Sequence, residues 1–272
     1  MNLKEDFLTT VKELRVTKPI VLHLTNYVSM ESCADITLAA GASPYMITDL
    51  GDVQEAVKKC DAVVINLGTL TESQKDIAIE CANVAQELEL PVILDPCGVM
   101  CSTNRLHFAL DLLEHGLVSI VRGNMAECSA LLEEKAQGRG LDVIQEYTKE
   151  ESLKIAKELA AKFGVIVAAT GAVDYISDGK KAVVLNNGNP LLKDITGAGC
   201  MTSSLVGCCA AVTDDYLTAA ALGVVIMGQS AELAANFLEK KDGPGMFKVR
   251  LMDAVYHITT KFDVLNLEPN KL

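Results

Sequence analysis

The stretch DITGAGCMTSSLVGCCAAV, residues 194–212, joins a glycine turn to an apolar run that contains no proline. The Gly197-Ala198-Gly199 step allows backbone angles and close approaches that a β-carbon would forbid. The run after it predicts a buried helix, and free amides at such a helix start bind anions. Cys200 would then lie at the mouth of an anion site. A tight turn followed by a small core cysteine explains the same residues, and the stretch alone does not decide between the two.

Short β-rich runs alternate with longer helical ones on the amino-terminal side of this turn. Several of the strand-like runs are continuously apolar, as strands covered on both faces must be. This alternation predicts an α/β fold with a mainly parallel central sheet and helices on both faces. The predicted strands are 19–25, 43–48, 61–68, 91–96, 116–123 and 165–171, and the predicted helices between them are 29–40, 71–88, 103–114, 124–133 and 149–163.

The pattern changes after residue 171. The stretch VDYISDGKKAVVLNNG, residues 173–188, predicts a β-hairpin with its turn at Asp178-Gly179. No low-complexity linker or internal repeat interrupts the chain, so we interpret residues 1–272 as a single domain. The remaining predictions are helices at 198–212, 215–238 and 245–260, an amino-terminal helix in MNLKEDFLTTVKELR and a surface loop at 134–143.

Composition and charge argue against several classes of partner. The chain has 272 residues and a net charge of −12 without a cluster of Lys or Arg, so we expect no nucleic acid and no membrane as partner. The most apolar stretch, 217–231, is uncharged but shorter than the roughly 20 residues that span a bilayer, and it predicts a core helix. Nine cysteines without zinc-ligand spacing, and a charged amino terminus unlike an export signal, predict a cytoplasmic protein with reduced thiols.

Polar residues end the apolar runs of the predicted sheet. Ligands of open parallel sheets bind outside the carboxyl ends of the strands, so these residues are candidates for a site. Each has a structural explanation when taken alone, but the same coincidence at strand after strand favours one common site. The residues are His23, Thr25 and Asn26 after the first strand, NLGT (66–69) in the third, Asp95 in the fourth, Arg122 and Asn124 in the fifth, and Thr170 and Gly171 in the sixth.

The stretch RGNMAE, residues 122–127, combines an arginine with oxygen ligands. Asn124 is placed to cap the next helix, and Glu127 in its first turn completes a capping box. The same two residues, with the nearby Asp95, are hard oxygen ligands that could hold Mg²⁺ through water. Arg122 would contact phosphate oxygens. We favour the functional interpretation, because phosphoryl transfer needs an arginine beside oxygen ligands and an anion-binding helix.

Together these motifs resemble the hydroxyethylthiazole kinases, a family within the ribokinase-like superfamily. In that superfamily a Gly-Ala-Gly turn starts the helix that cradles the transferred phosphate. The resemblance implies a ribokinase-like fold, and the β lid that many members insert early in the chain is not visible in this sequence. It covers about residues 18–250 and lies in LTNYV (24–28), GASPYM (41–46), NLGTL (66–70), LDPCG (94–98), RGNMAE (122–127), ATG (169–171), TGAGC (196–200) and DGPGMF (242–247).

The resemblance implies ATP- and Mg²⁺-dependent phosphorylation of the hydroxyethyl group of 4-methyl-5-(2-hydroxyethyl)thiazole, a step of thiamine precursor salvage. It also implies a homotrimer. Because no lid covers the site, we expect the thiazole pocket to be built between subunits. Matched by motif, Met46 and Gly197 would contact the thiazole in a pocket lined by Asn26, Gly68 and Thr69, Arg122, Thr170 and Gly171 would bind ATP, and Asn124 and Glu127, beside Asp95, would position Mg²⁺.

Cys200 stands where most ribokinase-like enzymes carry the aspartate that takes the proton from the alcohol, and the resemblance allows cysteine there. A free thiol has a pKa of about 8.5, which a helix start lowers because its dipole favours the thiolate. A loose transition state keeps the attacking alcohol protonated until late, so a weak base loses little. The amides of Gly197, Ala198, Gly199 and Cys200, together with the metal and Arg122, would carry most of the stabilisation. Cys200 is our candidate base, with an orienting or packing role as the alternative.

Two other functions fit parts of the pattern. A related kinase for hydroxymethylpyrimidine or pyridoxal usually keeps aspartate at the Cys200 position, and the TNYV and GASP motifs argue against it. A catalytically silent sensor of thiazole or ATP need not keep RGNMAE and TGAGC together. The sequence departs from the family pattern at Glu31 and Ser32, where an asparagine is usual, and at DPCGVM (95–100), where the loop is usually richer in glycine.

Overall fold

One sheet of eight strands runs through the computed structural model, which describes residues 3–136 and 147–260. The strands are β1 (Ile20–Leu24), β2 (Ser43–Met46), β3 (Ala62–Asn66), β4 (Val92–Asp95), β5 (Ile120–Asn124), β6 (Ile166–Thr170), β7 (Asp174–Ser177) and β8 (Ala182–Leu185). They lie side by side in the order β2-β1-β3-β4-β5-β6-β7-β8. Every pair from β2 to β6 is parallel, and the β6–β7 and β7–β8 pairs are antiparallel. The predicted mainly parallel sheet is confirmed.

Helices cover both faces of this sheet, as the sequence predicts. In chain order they are α1 (Leu3–Thr17), α2 (Met30–Ala40), α3 (Val53–Val57), α4 (Glu72–Glu87), α5 (Thr103–Glu114), α6 (Met125–Glu133), α7 (Lys149–Phe163), α8 (Ala198–Ala210), α9 (Tyr216–Asn236) and α10 (Pro244–Thr260). The apolar side chains of α3 to α7 form a core on one face. Those of α1, α2, α8, α9 and α10 form the core on the other.

Successive residues of each central strand point into opposite cores. In β3, Val63 and Ile65 pack into the α3–α7 core, whereas Val64 packs into the core that contains α8. Burial of each such side chain contributes about 1.5–3 kcal/mol relative to exposure. A strand with two buried faces therefore needs apolar residues at every position, which explains its continuously apolar sequence.

The predicted hairpin is present as β7 and β8, and its turn contains Gly179 with φ +86. All described strands belong to the one sheet, so the described residues contain no separate β lid. Most of the predicted loop at 134–143 lies outside the described residues. The single-domain prediction for 1–272 also includes residues outside them, and it stays a prediction.

The predicted strand at 116–123 is shorter than expected and begins at Ile120. Gly116 has φ +69, and the backbone N–H groups of Gly116 and Leu117 donate to carbonyls in the last turn of α5. These residues close the helix, so pairing with β4 starts only at Ile120. The short helix α3 was not predicted, because five residues show too little periodicity.

The long helix α9 is the centre of its layer. Its 21 residues are apolar enough to cross a membrane by length and composition, but 89% of the apolar window is buried inside the protein. The helix packs against both α8 and α10. The prediction of a core helix over 217–231 is therefore confirmed.

Candidate active site

The carboxyl edge of the parallel sheet collects the polar residues that end the strands. The register pairs Asn66 with Asp95 and Asn124 with Thr170, and Asn26 follows β1 beside β3. The start of α8 lies over the same edge, in hydrogen-bonding contact with Asn26 and Asn66. The structure thus brings most of the predicted strand-end residues to the predicted anion-binding turn, whereas His23 is fully buried within β1.

The turn before α8 depends on its two glycines. Gly197 is the N-cap residue and has φ +84, in the left-handed region. A β-carbon at Gly197 would lie 2.8 Å from Cβ of Ser29, and one at Gly199 would lie 2.7 Å from Nη1 of Arg122. Without these glycines, the free amides around Ala198 could not approach the arginine so closely. The result is a helix start suited to an anion.

Arg122 is a buried cation that faces this turn from β5. Only 8% of the residue is exposed, its Nη2 donates to Thr170 Oγ1 at 2.6 Å, and its Nη1 lies 3.7 Å from Asp95 Oδ2. Its Nε has no hydrogen-bond partner among the described residues. Since buried polar groups are normally paired, this unused donor leaves Arg122 with capacity for a further anionic partner such as a phosphate.

Cys200 lies in the first turn of α8 with its thiol partly buried. Nδ2 of Asn26 lies 3.2 Å from its Sγ, and Nδ2 of Asn66 lies 3.3 Å from it. A hydrogen bond with Cys97 lowers the pKa of Cys200 below its ordinary value, and burial opposes this shift. A sulfur that accepts several hydrogen bonds at a helix start is favoured as the thiolate.

Cys97, in the loop after β4, is the thiol that donates in this contact. Its hydrogen bond to Cys200, and then burial, raise the pKa of Cys97 well above its ordinary value. It therefore stays protonated. The sequence predicts no role for Cys97 beyond its place in the unusual DPCGVM loop, because no spacing connects residues that only the fold brings together.

Two buried carboxylates complete this edge. Asp95 accepts a hydrogen bond from Ser203 Oγ at 2.7 Å. Glu127 accepts hydrogen bonds from the backbone N–H groups of Asn124 at 2.8 Å and Gly98 at 3.0 Å. Burial, and then the negative charge of Asp95, raise the pKa of Glu127 to about 7. The two carboxyl groups therefore disfavour each other's ionisation, a situation that a nearby cation relieves.

The predicted capping box is confirmed at the start of α6. Asn124 Oδ1 accepts from the Glu127 backbone N–H at 2.9 Å, and Glu127 returns a hydrogen bond to the Asn124 N–H. The described residues contain no cluster of three or more His, Cys, Asp or Glu side chains placed to bind a metal directly. The carboxylate and amide oxygens suit Mg²⁺ held through water, and not a cation bound in a dedicated cage.

A cavity of about 320 Å³ opens next to Arg122, the size of a small-molecule site. The predicted ATP-binding residues Thr170 and Gly171 line it together with Ala198 and Gly199. The other lining residues were not predicted from the sequence; they are Ala172, Asp174, Asn186, Asn187, Gly188, Asn189, Pro190, Leu192, Lys193, Thr202, Val224, Met227 and Gly228. The polar NNGNP segment after the last strand was the available signal for this wall.

The predicted acceptor residues lie on the other side of the α8 start, around Asn26. A β-carbon at Gly68 would lie 2.9 Å from Asn26 Cβ, and Thr69 Oγ1 accepts from the Tyr27 N–H at 3.3 Å. Met46 ends the edge strand β2 and is half-buried. The fold therefore brings Asn26, Gly68 and Thr69 together, with Met46 at the end of the neighbouring edge strand.

Residues 11–261 match the sequence profile of the Hydroxyethylthiazole kinase family. A relative named hydroxyethylthiazole kinase from Alkaliphilus oremlandii is 39% identical over 255 residues, which cover 94% of each chain. Another of the same name from Methanococcus maripaludis is 38% identical over 259 residues, covering 95% of this chain and 96% of the relative. The matched range 11–261 includes both the residues that line the cavity and the predicted acceptor residues.

Solved structures show the same architecture. The structure of a hydroxyethylthiazole kinase protein from Pyrococcus horikoshii superposes with a TM-score of 0.84 at 36% identity, covering 93% of each chain. A Bacillus subtilis pyridoxal kinase in complex with ADP superposes with a TM-score of 0.59 at 16% identity, over 79% of this chain and 92% of that one. At that identity the second likeness shows the fold alone.

Proposed function

This chain belongs to the hydroxyethylthiazole kinase family, and from that membership we propose that it phosphorylates the hydroxyethyl group of 4-methyl-5-(2-hydroxyethyl)thiazole in thiamine precursor salvage, with ATP as donor. One observation supports this most directly. The start of α8 borders the cavity through Gly199 and contacts the acceptor side through Cys200 and its neighbour Asn26. A phosphoryl group passing from one side to the other would cross the free amides of that helix.

In this proposal the cavity takes ATP, and the buried Arg122 binds its phosphate oxygens. Thr170 holds the guanidinium through Nη2, and Asp95 lies on its other side, so the cation is preorganised before the nucleotide arrives. The amides at Gly197, Ala198 and Gly199 complete the anion site. Preorganised donors of this kind supply most of the stabilisation in phosphoryl transfer, because there is little covalent chemistry for the protein to perform.

Cys200 accepts the proton of the hydroxyethyl group in this scheme. Its sulfur accepts hydrogen bonds from two amide groups, so it is oriented toward the side of the site formed by Asn26, Gly68 and Thr69. The thiazole lies against that wall and Met46. The proton leaves late in a loose transition state, which is why a thiolate is a sufficient base.

Mg²⁺ is the proposed metal, positioned through water by Glu127 and Asn124 with Asp95 beside them. When bound, the cation neutralises charge on the ATP phosphates. Hydrogen bonds hold the side chains that would position the cation. The capping box orients Glu127, and the hydroxyl of Ser203 orients the carboxylate of Asp95. The raised pKa of Glu127, caused by burial and by Asp95, supports a cation near this pair.

The proposed assembly is a homotrimer with the thiazole pocket between subunits. Large apolar side chains are exposed around the acceptor residues, since Tyr27 is 63% and Val28 is 69% exposed, and Tyr45 on the edge strand β2 is 38% exposed. Two of these residues directly follow Asn26 in the chain. A neighbouring subunit that covers them would also exclude water from the transferred phosphoryl group.

The proposed compartment is the cytoplasm. None of the nine cysteines, all of which lie within the described residues, forms a disulfide, and six of them are buried. Reduced cysteines in this number are typical of proteins from a reducing compartment.

ADP release with a panel of alcohols tests the proposed activity. We expect turnover with the hydroxyethylthiazole, a dependence on Mg²⁺ concentration, and much lower kcat/KM with hydroxymethylpyrimidine and pyridoxal. A chain that binds thiazole and ATP without releasing ADP would be the sensor considered above. Faster turnover of pyridoxal or hydroxymethylpyrimidine would assign the chain to the related kinases.

A further inference from the structure

The side chain of Asn66 is buried at the end of β3, next to the candidate base Cys200. On its other side lie Asn26, Gly68 and Thr69, which form the acceptor wall of the site. Only 5% of the residue is exposed. Its Oδ1 accepts from Asn26 Nδ2 at 2.9 Å and from the Gly68 N–H at 2.9 Å. Its Nδ2 donates to Cys200 Sγ at 3.3 Å, and the side chain also hydrogen-bonds Asp95. Every polar position of this amide is therefore in use.

Backbone groups fix which end of each amide faces the sulfur. The Gly68 N–H can only donate, so the oxygen of Asn66 must face it and the nitrogen must face Cys200. The oxygen of Asn26 is fixed in the same way by the N–H groups of Val28 at 3.1 Å and Ser29 at 3.0 Å. Neither amide can turn to offer its oxygen to the thiol without losing backbone bonds.

The sulfur of Cys200 thus faces two N–H donors that have no alternative orientation. A neutral thiol is a weak acceptor, whereas a thiolate accepts strong, charge-assisted hydrogen bonds. Such an arrangement stabilises an acceptor that carries negative charge. It also holds the sulfur at one place relative to the acceptor wall, because Asn66 is tied to Gly68.

We propose that Asn66 is a positioning residue for the reaction: it fixes the Cys200 sulfur in place and stabilises it as an anion through Nδ2. This inference rests on the proposed function, in which Cys200 accepts the proton. Asn66 itself touches neither the phosphate site nor the reacting oxygen in this assignment. Its effect passes through the sulfur.

Other titratable groups also face Cys200. Asp95 approaches from the end of β4, Cys97 from the loop after it and Cys33 from α2, and the cation Arg122 lies on the far side of Gly199. The negative charge of Asp95 opposes ionisation of the thiol, while the Cys97 hydrogen bond favours it. A test of Asn66 must therefore compare variants in which these groups are unchanged.

Alkylation of the free protein by iodoacetamide tests the proposal without using kinase activity. The rate at Cys200 is followed by peptide mass spectrometry from pH 5.5 to 10, because only the thiolate reacts. We expect the wild-type midpoint to lie below about 8.5, the pKa of a free cysteine. In Asn66→Ala, loss of a hydrogen bond to a charged group should raise the Cys200 midpoint by about one pH unit.

Controls separate a positioning role from damage to the fold. Asn83→Ala, on the exposed face of α4, should leave the Cys200 midpoint unchanged. Asn66→Ser keeps a hydroxyl that can bind the Gly68 N–H, so it should fold even if Asn66→Ala does not, and it should still raise the midpoint. Steady-state kinetics of the same variants should show a lower kcat with nearly the same KM for ATP.

Two results would overturn the proposal. One is a wild-type Cys200 that titrates at or above about 8.5, the pKa of a free cysteine, and the other is a folded Asn66 variant with the wild-type alkylation profile. Failure of the proposed function looks different. If Asn66→Ala shifts the profile but Cys200→Ala keeps full activity, then Asn66 still controls the sulfur and Cys200 is not the base.

Discussion

At the scale of single residues, the site depends on a sulfur in a position where a carboxylate would be an ordinary base. The Cys200 thiol is partly buried, yet its hydrogen bonds lower its pKa. Removing the thiol should therefore slow the chemical step and leave nucleotide binding nearly unchanged. We expect Cys200→Ala to lower kcat by about 10²-fold, the low end for loss of a general base, because the transition state is loose.

Cys200→Asp should retain substantial activity, since a carboxylate accepts the same two amide hydrogen bonds. Cys101→Ala, at an exposed thiol, is the control and should match wild type. Initial rates at saturating ATP and thiazole, with ATP affinity measured separately, give the comparison. Wild-type turnover by Cys200→Ala would leave the thiol only an orienting or packing role.

The buried His23 gives the stability of the protein a dependence on pH. It lies in β1 with Nδ1 near the Val21 carbonyl at 2.9 Å and Nε2 near Ser204 Oγ at 3.1 Å. Burial lowers its pKa to about 4. In the unfolded chain the pKa is about 6.5, so between pH 6.5 and 4 the unfolded state takes up a proton that the folded state does not. The free energy of unfolding therefore decreases as the pH falls through that range.

We expect the neutral, buried His23 to reduce the free energy of unfolding by about 3 kcal/mol at pH 4 relative to pH 7.5. Denaturant unfolding of wild type and His23→Gln at several pH values isolates it, because other groups titrate equally in both proteins. The free energy of unfolding of the variant, relative to its own value at pH 7.5, should fall less. His107→Gln, at an exposed histidine of α5, should follow wild type. Parallel curves for wild type and His23→Gln would show that the folded protein admits a proton at His23.

At the scale of elements, the start of α8 contributes more than the thiol it carries. A β-carbon at Gly199 would lie 2.7 Å from Arg122 Nη1, so a larger residue there displaces the cation from the helix amides. We expect Gly199→Val to lower kcat by about 10²–10³-fold, more than Cys200→Ala, because it disturbs electrostatic stabilisation directly. Steady-state kinetics give kcat, and circular dichroism shows whether the variant is folded.

Gly245→Ala is the control, because a β-carbon at Gly245 meets nothing within 4 Å. A Gly199→Val protein that is folded and fully active would refute the anion site.

The same element shows how far sequence reasoning reaches. The glycine turn, the helix after it and the Asn124–Glu127 capping box were predictable, because each is a local pattern with a local cause. The contact between Cys97 and Cys200 was not, since it joins the loop after β4 to the first turn of α8, which are distant in the sequence and meet only in the fold. The cavity wall at 186–193 was missed for a related reason: a polar loop gains its role only once α9 packs beside it.

At the scale of the whole molecule, the sheet has different surroundings at its two ends. On one side β8 belongs to the hairpin beside the cavity that opens next to Arg122, and on the other the edge strand β2 is only partly buried. Parallel sheets are normally covered on both faces, and an exposed edge strand is a liability that proteins cover. The exposed Tyr45 on β2 and Val28 beside Asn26 lie at this uncovered end. A second copy of the chain is the covering partner that the proposed trimer supplies.

The proposed trimer predicts that assembly and thiazole binding are lost together. Val28→Glu places a charge on a side chain that is 69% exposed, next to an acceptor residue. The backbone N–H of residue 28 still holds Asn26, so the fold of one chain should persist. Light scattering should give the mass of three chains for wild type and of one chain for the variant, and calorimetry should show thiazole binding only for the trimer.

Leu88→Glu is the matched control for this prediction. Leu88 is 42% exposed at the end of α4, on the other helix layer, so the change should leave both the trimer and thiazole binding intact. A monomeric Val28→Glu protein that binds thiazole with wild-type affinity would place the complete pocket within one chain.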